Sequence, residues 1–315
     1  MTNFKQTLST ITDYIKADIF PGASLALYDG QDWQEHYLGT QDGNHPVVPG
    51  LTYDLASVSK VVGVGTLCLF YLQAGKLDLD EKLSTYYPAV VDKTLTLRQL
   101  LSHSSGIDPF IPNRDELDQA GLISAINAIK VKDDKPFLYT DINFILLGLM
   151  LEKVSGQTLD KLFDIEIFQP FGMSETRFGP VEVAVPTVEG IPGGTVHDPK
   201  ARVLKEHTGS AGLFSTLKDL EIFVNHYLTD DFAKNMTQNI SQSNKERSVA
   251  WDLQGDWILH TGYTGTFVLI NIPAQRAAIF LSNRTYYKDE RAQWIKDRDV
   301  LIEIMKKELI RETVE

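Results

Sequence analysis

The chain has 315 residues, 43% of them hydrophobic and 23% charged, with a net charge of -12 at pH 7 and a single cysteine. That apolar content supports a sizeable core, while so acidic a surface repels phosphate backbones and anionic lipid and argues against nucleic acid or membrane as partners. Cys68, alone inside the apolar run Val61 to Leu72, has no partner for an internal disulfide and reads as a buried, inert thiol.

The N-terminus, Met1-Thr2-Asn3-Phe4-Lys5-Gln6, carries no basic segment followed by an apolar one, so no signal peptide is read there. No run reaches the roughly 18 unbroken apolar residues that span a bilayer, and a cytoplasmic location is the expectation. Phe4, Leu8, Ile11 and Ile15 recur at helical spacing and predict a surface helix over Phe4 to Ala17. Two strands follow, Ala23 to Tyr28 and Trp33 to Leu38, joined by Asp29-Gly30-Gln31-Asp32 as a hairpin turn.

From Ser57 to about Tyr227 the pattern is helical. Val58 to Ala74 is apolar nearly all round and stops at Gly75, a left-handed cap, which predicts a buried central helix. Thr96-Leu97-Arg98-Gln99 has capping-box spacing and opens a short helix ending before Gly106. Further helices are expected over Asn143 to Val154 and from the Thr216 cap to Tyr227. Strands return at Ser248 to Leu253, Trp257 to His260, Thr266 to Ile272 and Arg276 to Leu281, and Glu290 to Arg311 closes the chain as a long amphipathic helix. The expected architecture is α+β: an antiparallel sheet lobe from residues 1–56 and 245–315, flanked by the terminal helices, with a mostly helical lobe over 57–244 inserted and a site in the crevice between them.

Ser57-x-x-Lys60 is the first chemical signal. Three residues apart on a helix, the two side chains share a face. A serine at a helix start also has the positive end of the helix dipole for a developing oxyanion. Burial in an apolar helix is expected to lower the Lys60 amine toward basic competence. The spacing occurs again at Ser215-x-x-Lys218, beside a helix cap, where it reads as structural. Tyr139-Thr140-Asp141 stands at a loop-to-helix junction. His260-Thr261-Gly262-Tyr263 ends a strand, where glycine permits close approach of backbone to a ligand.

These three elements, in this order, resemble the motifs of the penicillin-recognising serine hydrolases: Ser-x-x-Lys, Tyr-x-Asn and Lys/His-Thr-Gly. The tyrosine points to the class C β-lactamase branch with its related esterases and DD-peptidases. Phe20-Pro21-Gly22-Ala23-Ser24, Gln73 to Asp80, Leu100 to Gly106 and Ser210 to Thr216 are also similar to that family's framework, so the resemblance runs from about Phe20 to Arg284.

The resemblance implies a β-lactamase/transpeptidase-like fold and an acyl-enzyme on Ser57, with Tyr139 as proton shuttle and Lys60 between the two. It implies an oxyanion hole from the backbone N–H groups of Ser57 and Tyr263, and Asp141, His260, Thr261, Gly262 and Tyr263 as substrate-binding positions. A phenol falling from a pKa of about 10 to about 7 needs about 4 kcal/mol from neighbouring cations, and Lys60 and a protonated His260 are the candidates. A Tyr–Lys pair sharing one proton is the cautious form of that statement.

Two positions depart from the family. Asp141 replaces an asparagine and His260 a lysine, and both changes favour neutral esters or amides over anionic substrates. The leading expectation is an esterase or amidase. The alternatives are a D-alanyl-D-alanine carboxypeptidase or weak β-lactamase, and, from another class, a non-catalytic penicillin-binding protein. His103 and His197-Asp198 read as structural turn residues, and the loop Ile107 to Ala120, with Phe110 and Pro112, as the seat of specificity. No metal-ligand spacing, P-loop, Gly-x-Gly-x-x-Gly or Gly-x-Ser-x-Gly element is present, so no cofactor or metal is expected, and the partner is a small ester, amide or peptide.

Overall fold

In the computed structural model, which describes residues 4–310, strands from both ends of the chain build one antiparallel sheet in the order β2-β1-β9-β8-β7-β6. These are β1 (Gly22–Tyr28), β2 (Trp33–Gly39), β6 (Asp252–Gln254), β7 (Trp257–Thr261), β8 (Phe267–Asn271) and β9 (Arg276–Ser282). The sixth strand is shorter than the run Ser248 to Leu253 predicts: residues 248–251 form a turn in which Ala250 takes a positive φ of 71°.

Alternation along these strands divides the apolar residues between two cores. Leu25, Leu27, Phe267, Leu269 and Phe280 face the helices Lys5–Lys16 and Arg291–Ile310, where they meet Ile11, Phe20, Trp294, Leu301 and Met305. Their neighbours Ala26, Val268, Ile270 and Ile279 face the helical lobe and join its larger core. A sheet covered on both faces explains why its central strands read as almost unbroken apolar runs. Glu308 ties the two ends together, accepting the Gln6 and Thr7 N–H groups at 3.0 and 2.9 Å and so capping the first helix with a carboxylate from the last.

A small second sheet, in the order β3-β5-β4, that the sequence reading does not anticipate joins the segment before the helical lobe to two strands within it: β3 (Thr52–Asp54), β4 (Arg177–Phe178) and β5 (Leu213–Thr216). Strands of two to four residues give too little alternation to detect. The central helix also differs from one α-helix over Val58 to Ala74. It begins as a 3-10 turn (Ala56–Val58), is α-helical at Ser59 and Lys60, widens into a π turn (Val61–Gly65) and returns to α-helix over Thr66–Gln73. Ala56–Gln73 is long and apolar enough to cross a membrane by composition, but it packs inside the core. The Gly75 cap (φ 66°), the Thr96 capping box and the buried Cys68, its thiol pushed up to about 12 by burial, agree with the sequence reading.

Candidate active site

Ser57 is launched from a strained turn. Ala56, immediately before it, has φ 46°, a left-handed conformation that costs a residue with a Cβ about 1–2 kcal/mol. Buried Asp54 holds that turn: one carboxylate oxygen accepts the Ala56 N–H at 2.8 Å and the other the His197 N–H at 2.7 Å. From the strand side, Thr264 and Thr266 donate to the carbonyls of Asp54 and Leu55 at 3.1 and 3.0 Å. Gly262 lets that strand end come so close, since a Cβ there would stand 2.7 Å from the Leu55 carbonyl oxygen. The short strand β5 anchors the other side, with the Leu55 N–H donating to the Leu213 carbonyl at 2.9 Å.

Lys60 is fully buried, and its ammonium makes three donations of 2.8 Å each, to Ser57 Oγ, Asp141 Oδ1 and the Ser210 carbonyl. All three protons are used, the pattern of a charged ammonium rather than a free amine. Here the expectation of a lowered lysine is overturned. Burial does push it down, but the Asp141 carboxylate and the Tyr139 oxygen outweigh burial and hold the ammonium above the ordinary lysine range.

Asp141 opens the helix Asp141–Ser155, whose N-cap Thr140 accepts the Ile142 N–H. Its second oxygen lies 3.0 Å from Lys200 Nζ, which also pairs with Asp198 at 3.2 Å. Burial pushes the Asp141 carboxyl up, yet the two lysines hold it well below the usual carboxylate range.

Tyr139 is half-exposed, and Lys60 Nζ lies 5.2 Å from its ring centroid. The ring packs on buried His103, centroids 4.4 Å apart, and faces His260 at 6.3 Å. His103 is therefore more than a framework turn residue: it is one wall of the tyrosine's slot, fixed by Asn143 Nδ2 at 2.9 Å.

His260 corrects a second expectation. Burial, with Lys60 and Arg247 as nearby positive charges, holds its imidazole well below the usual histidine range, so it is neutral and supplies no cation to Tyr139. Arg247 is the other cation there, buried, paired with Asp252 at 3.2 Å and in electrostatic contact with Tyr139. Tyr263 stacks on His197 (5.6 Å) beneath the Arg284 guanidinium, and its hydroxyl donates to Asp289.

A cleft of about 350 Å³ opens beside Tyr139, His260 and Thr261. Its wall carries three cations, Lys245, Arg247 and Arg298, and three acids, Asp252, Asp299 and Glu303; Lys245 and Arg247 share Asp252, Arg298 pairs with Asp299, and Glu303 pairs with Lys306. Among the described residues no group of three or more His, Cys, Asp or Glu side chains is arranged to hold a metal ion. The second Ser-x-x-Lys pair takes no part: Ser215 bonds Thr176 inside β5, and Lys218 pairs with Glu221.

A family model described as Beta-lactamase matches residues 9–302. The chain belongs to the beta-lactamase family. Curated relatives of this beta-lactamase family chain include a "Putative D-alanyl-D-alanine carboxypeptidase" of Escherichia coli (strain K12), 25% identical over 75% of this chain and 70% of the relative. Another of the same description, from Salmonella typhimurium, is 23% identical over 83% and 76%. Among solved structures, "A class C beta-lactamase" superposes with TM-score 0.77 at 16% identity, covering 98% of this chain and 97% of that one. "EstCE1, a hydrolase with promiscuous acyltransferase activity" superposes with TM-score 0.76 at 18% identity, covering 94% and 97%. The fold is thus the β-lactamase/transpeptidase-like one, and family and relatives make the protein a serine hydrolase.

Lys200, Arg247, Ser210 and Asp54 escaped the sequence reading. Ser210 lies in a quoted framework segment, where a main-chain role leaves no mark on residue type. Lys200 and Arg247 reach the site from remote segments, and no spacing connects them to Ser57.

Proposed function

We propose that this protein is an esterase or amidase working through an acyl-enzyme on Ser57. The observation that carries the reading is the threefold donation by Lys60. Because Ser57 Oγ receives a hydrogen bond from a lysine with no acceptor capacity, the serine's own proton is left for another base. Tyr139 in its phenolate form, which the Lys60 and Arg247 charges favour, takes it as Oγ attacks the carbonyl and becomes the neutral phenol. The backbone N–H groups of Ser57 and Tyr263 receive the oxyanion. Tyr139 then returns the proton to the leaving alcohol or amine, and water attacks the ester on Ser57 to release the acid.

The paired charges of the cleft favour a neutral substrate. His260 is neutral where the family mostly has a cation, and the positive side chains of the wall are ion-paired, Lys245 and Arg247 with Asp252 and Arg298 with Asp299. A D-alanyl-D-alanine carboxypeptidase is the second reading, supported by the names of the curated relatives and by Arg298, which donates to Thr261 Oγ1 at 3.3 Å.

The test offers the protein p-nitrophenyl butyrate, a chromogenic cephalosporin and a D-alanyl-D-alanine peptide, beside Ser57→Ala. Ester turnover is expected to begin with a burst of one p-nitrophenolate per enzyme and to fall at least about a thousandfold in Ser57→Ala. Turnover that survives the substitution overturns the mechanism. Faster release of D-alanine than of p-nitrophenolate selects the second reading, and a stable adduct without turnover selects a penicillin-binding protein.

A further inference from the structure

An aspartate beside the site lysine poses an electrostatic problem. A carboxylate bonded to Lys60 cancels the positive charge that Ser57 and Tyr139 depend on, and no neutral amide replaces it. The structure contains a compensating group. Lys200 Nζ lies 3.0 Å from Asp141 Oδ2, while Lys60 holds Oδ1 at 2.8 Å, so the carboxylate is gripped from both sides. Lys200 stands one residue inside the helix Pro199–Leu204, whose N-cap, Asp198, accepts the Ala201 N–H at 2.8 Å and pairs with Lys200 at 3.2 Å. Its side chain is only 13% exposed, so the pair is not a loosely solvated surface contact. Lys60, Asp141, Lys200 and Asp198 therefore form a chain of alternating charge that runs outward from the nucleophile.

We propose that Lys200 is a positioning residue that neutralises Asp141, so that an aspartate–lysine pair does here what a single asparagine amide does elsewhere in the fold. The assignment rests on the proposed reading of Ser57, Lys60 and Tyr139. Lys200 acts through Asp141: it fixes the carboxylate that aims Lys60 and keeps the Lys60 charge available to Tyr139. The other titratable groups facing this cluster are Arg247, which stays cationic, and His103 and His260, both kept neutral by burial.

The consequence is a dependence that a structural ion pair would not have. In Lys200→Met, Asp141 acts on Lys60 and Tyr139 uncompensated. The ascending limb of kcat/KM for p-nitrophenyl butyrate should then move up by about one pH unit, with about a tenfold loss at neutral pH. Lys200→Arg should stay within about threefold of the parent. Adding Asp141→Asn to Lys200→Met should return the limb to its original position, because the amide needs no counter-charge.

An unmoved limb in Lys200→Met, or a double variant no better than the single, overturns the proposal. If Lys200→Met alone fails to fold by circular dichroism, the double variant decides. Folded with the parental pH profile it supports the compensating role; folded and inactive, or unfolded, it shows that Lys200 is needed for structure alone. Ser57→Ala run in parallel keeps the two questions apart, since its residual turnover bears on the nucleophile and not on Lys200.

Discussion

At position 260 the sequence offers a histidine where the family mostly has lysine, and the residue type alone implies a charge that is partly present near neutrality. Its surroundings reverse that. The ring is buried, and Lys60 and Arg247 add positive charge nearby. The His260 imidazole resonances should therefore stay flat from about pH 5 to 8 in an NMR titration. A midpoint near 6.5 would restore a cationic His260 and, with it, an anionic substrate. Ser57, Lys60, Tyr139 and Asp141 were legible because each lies in a short motif with neighbours of fixed type. The charge state of Lys60 was not, because it depends on Asp141, 81 positions away, and on whether that carboxylate or burial prevails.

At the scale of elements, periodicity located the long helices and the central strands, and capping chemistry located their ends, as the Thr96 box illustrates. It could not reveal the π turn at Val61–Gly65, because an apolar run gives the same signal in α and π geometry. Nor could it reveal where two segments touch. The helix Asp141–Ser155 crosses the segment before β5 at Gly209, where a Cβ would lie 2.2 Å from the Phe144 carbonyl oxygen. A helix backbone cannot yield as a side chain would. Gly209→Ala should push the segment outward, cost about 2–4 kcal/mol by urea unfolding, and lower kcat, because the next residue, Ser210, supplies the carbonyl that Lys60 bonds. A variant with parental stability and activity would mean that this crossing has slack, and that Ser210 does not fix the lysine.

For the whole molecule, the pH dependence of stability follows from the acids and the histidines that folding buries. Asp54, which holds the nucleophile turn, is pushed up to about 6 by burial against its two N–H donors. Glu221, on the helix Leu217–Thr229 beneath the sheet edge, is pushed up to about 7 by burial and the nearby Glu35 charge, with Lys218 pulling against them. Both carboxyls keep protons in the folded chain that the unfolded chain has released between about pH 4 and 7, so stability falls as pH rises through that window. Each costs on the order of 3 kcal/mol once ionised, before relaxation reduces it. Asp141 has the opposite sign: held low by its lysines, it contributes stability above about pH 4 and loses it on further acidification. His103 and His260, held neutral by burial, act against the two acids: their unfolded rings take up protons below about pH 6.5, so they add stability as pH rises to that value. The fall set by the buried acids is therefore offset up to about pH 6.5 and shows above it, chiefly through Glu221. Calorimetry at constant ionic strength should give a Tm about 2–3 °C lower at pH 8 than at pH 6.5. Glu221→Gln, away from the catalytic cleft, should raise the pH 8 value and remove most of that slope. A Tm that climbs steadily to pH 8, or a Glu221→Gln slope equal to the parent's, would mean that water reaches these carboxyls and that burial does not set the pH optimum of stability.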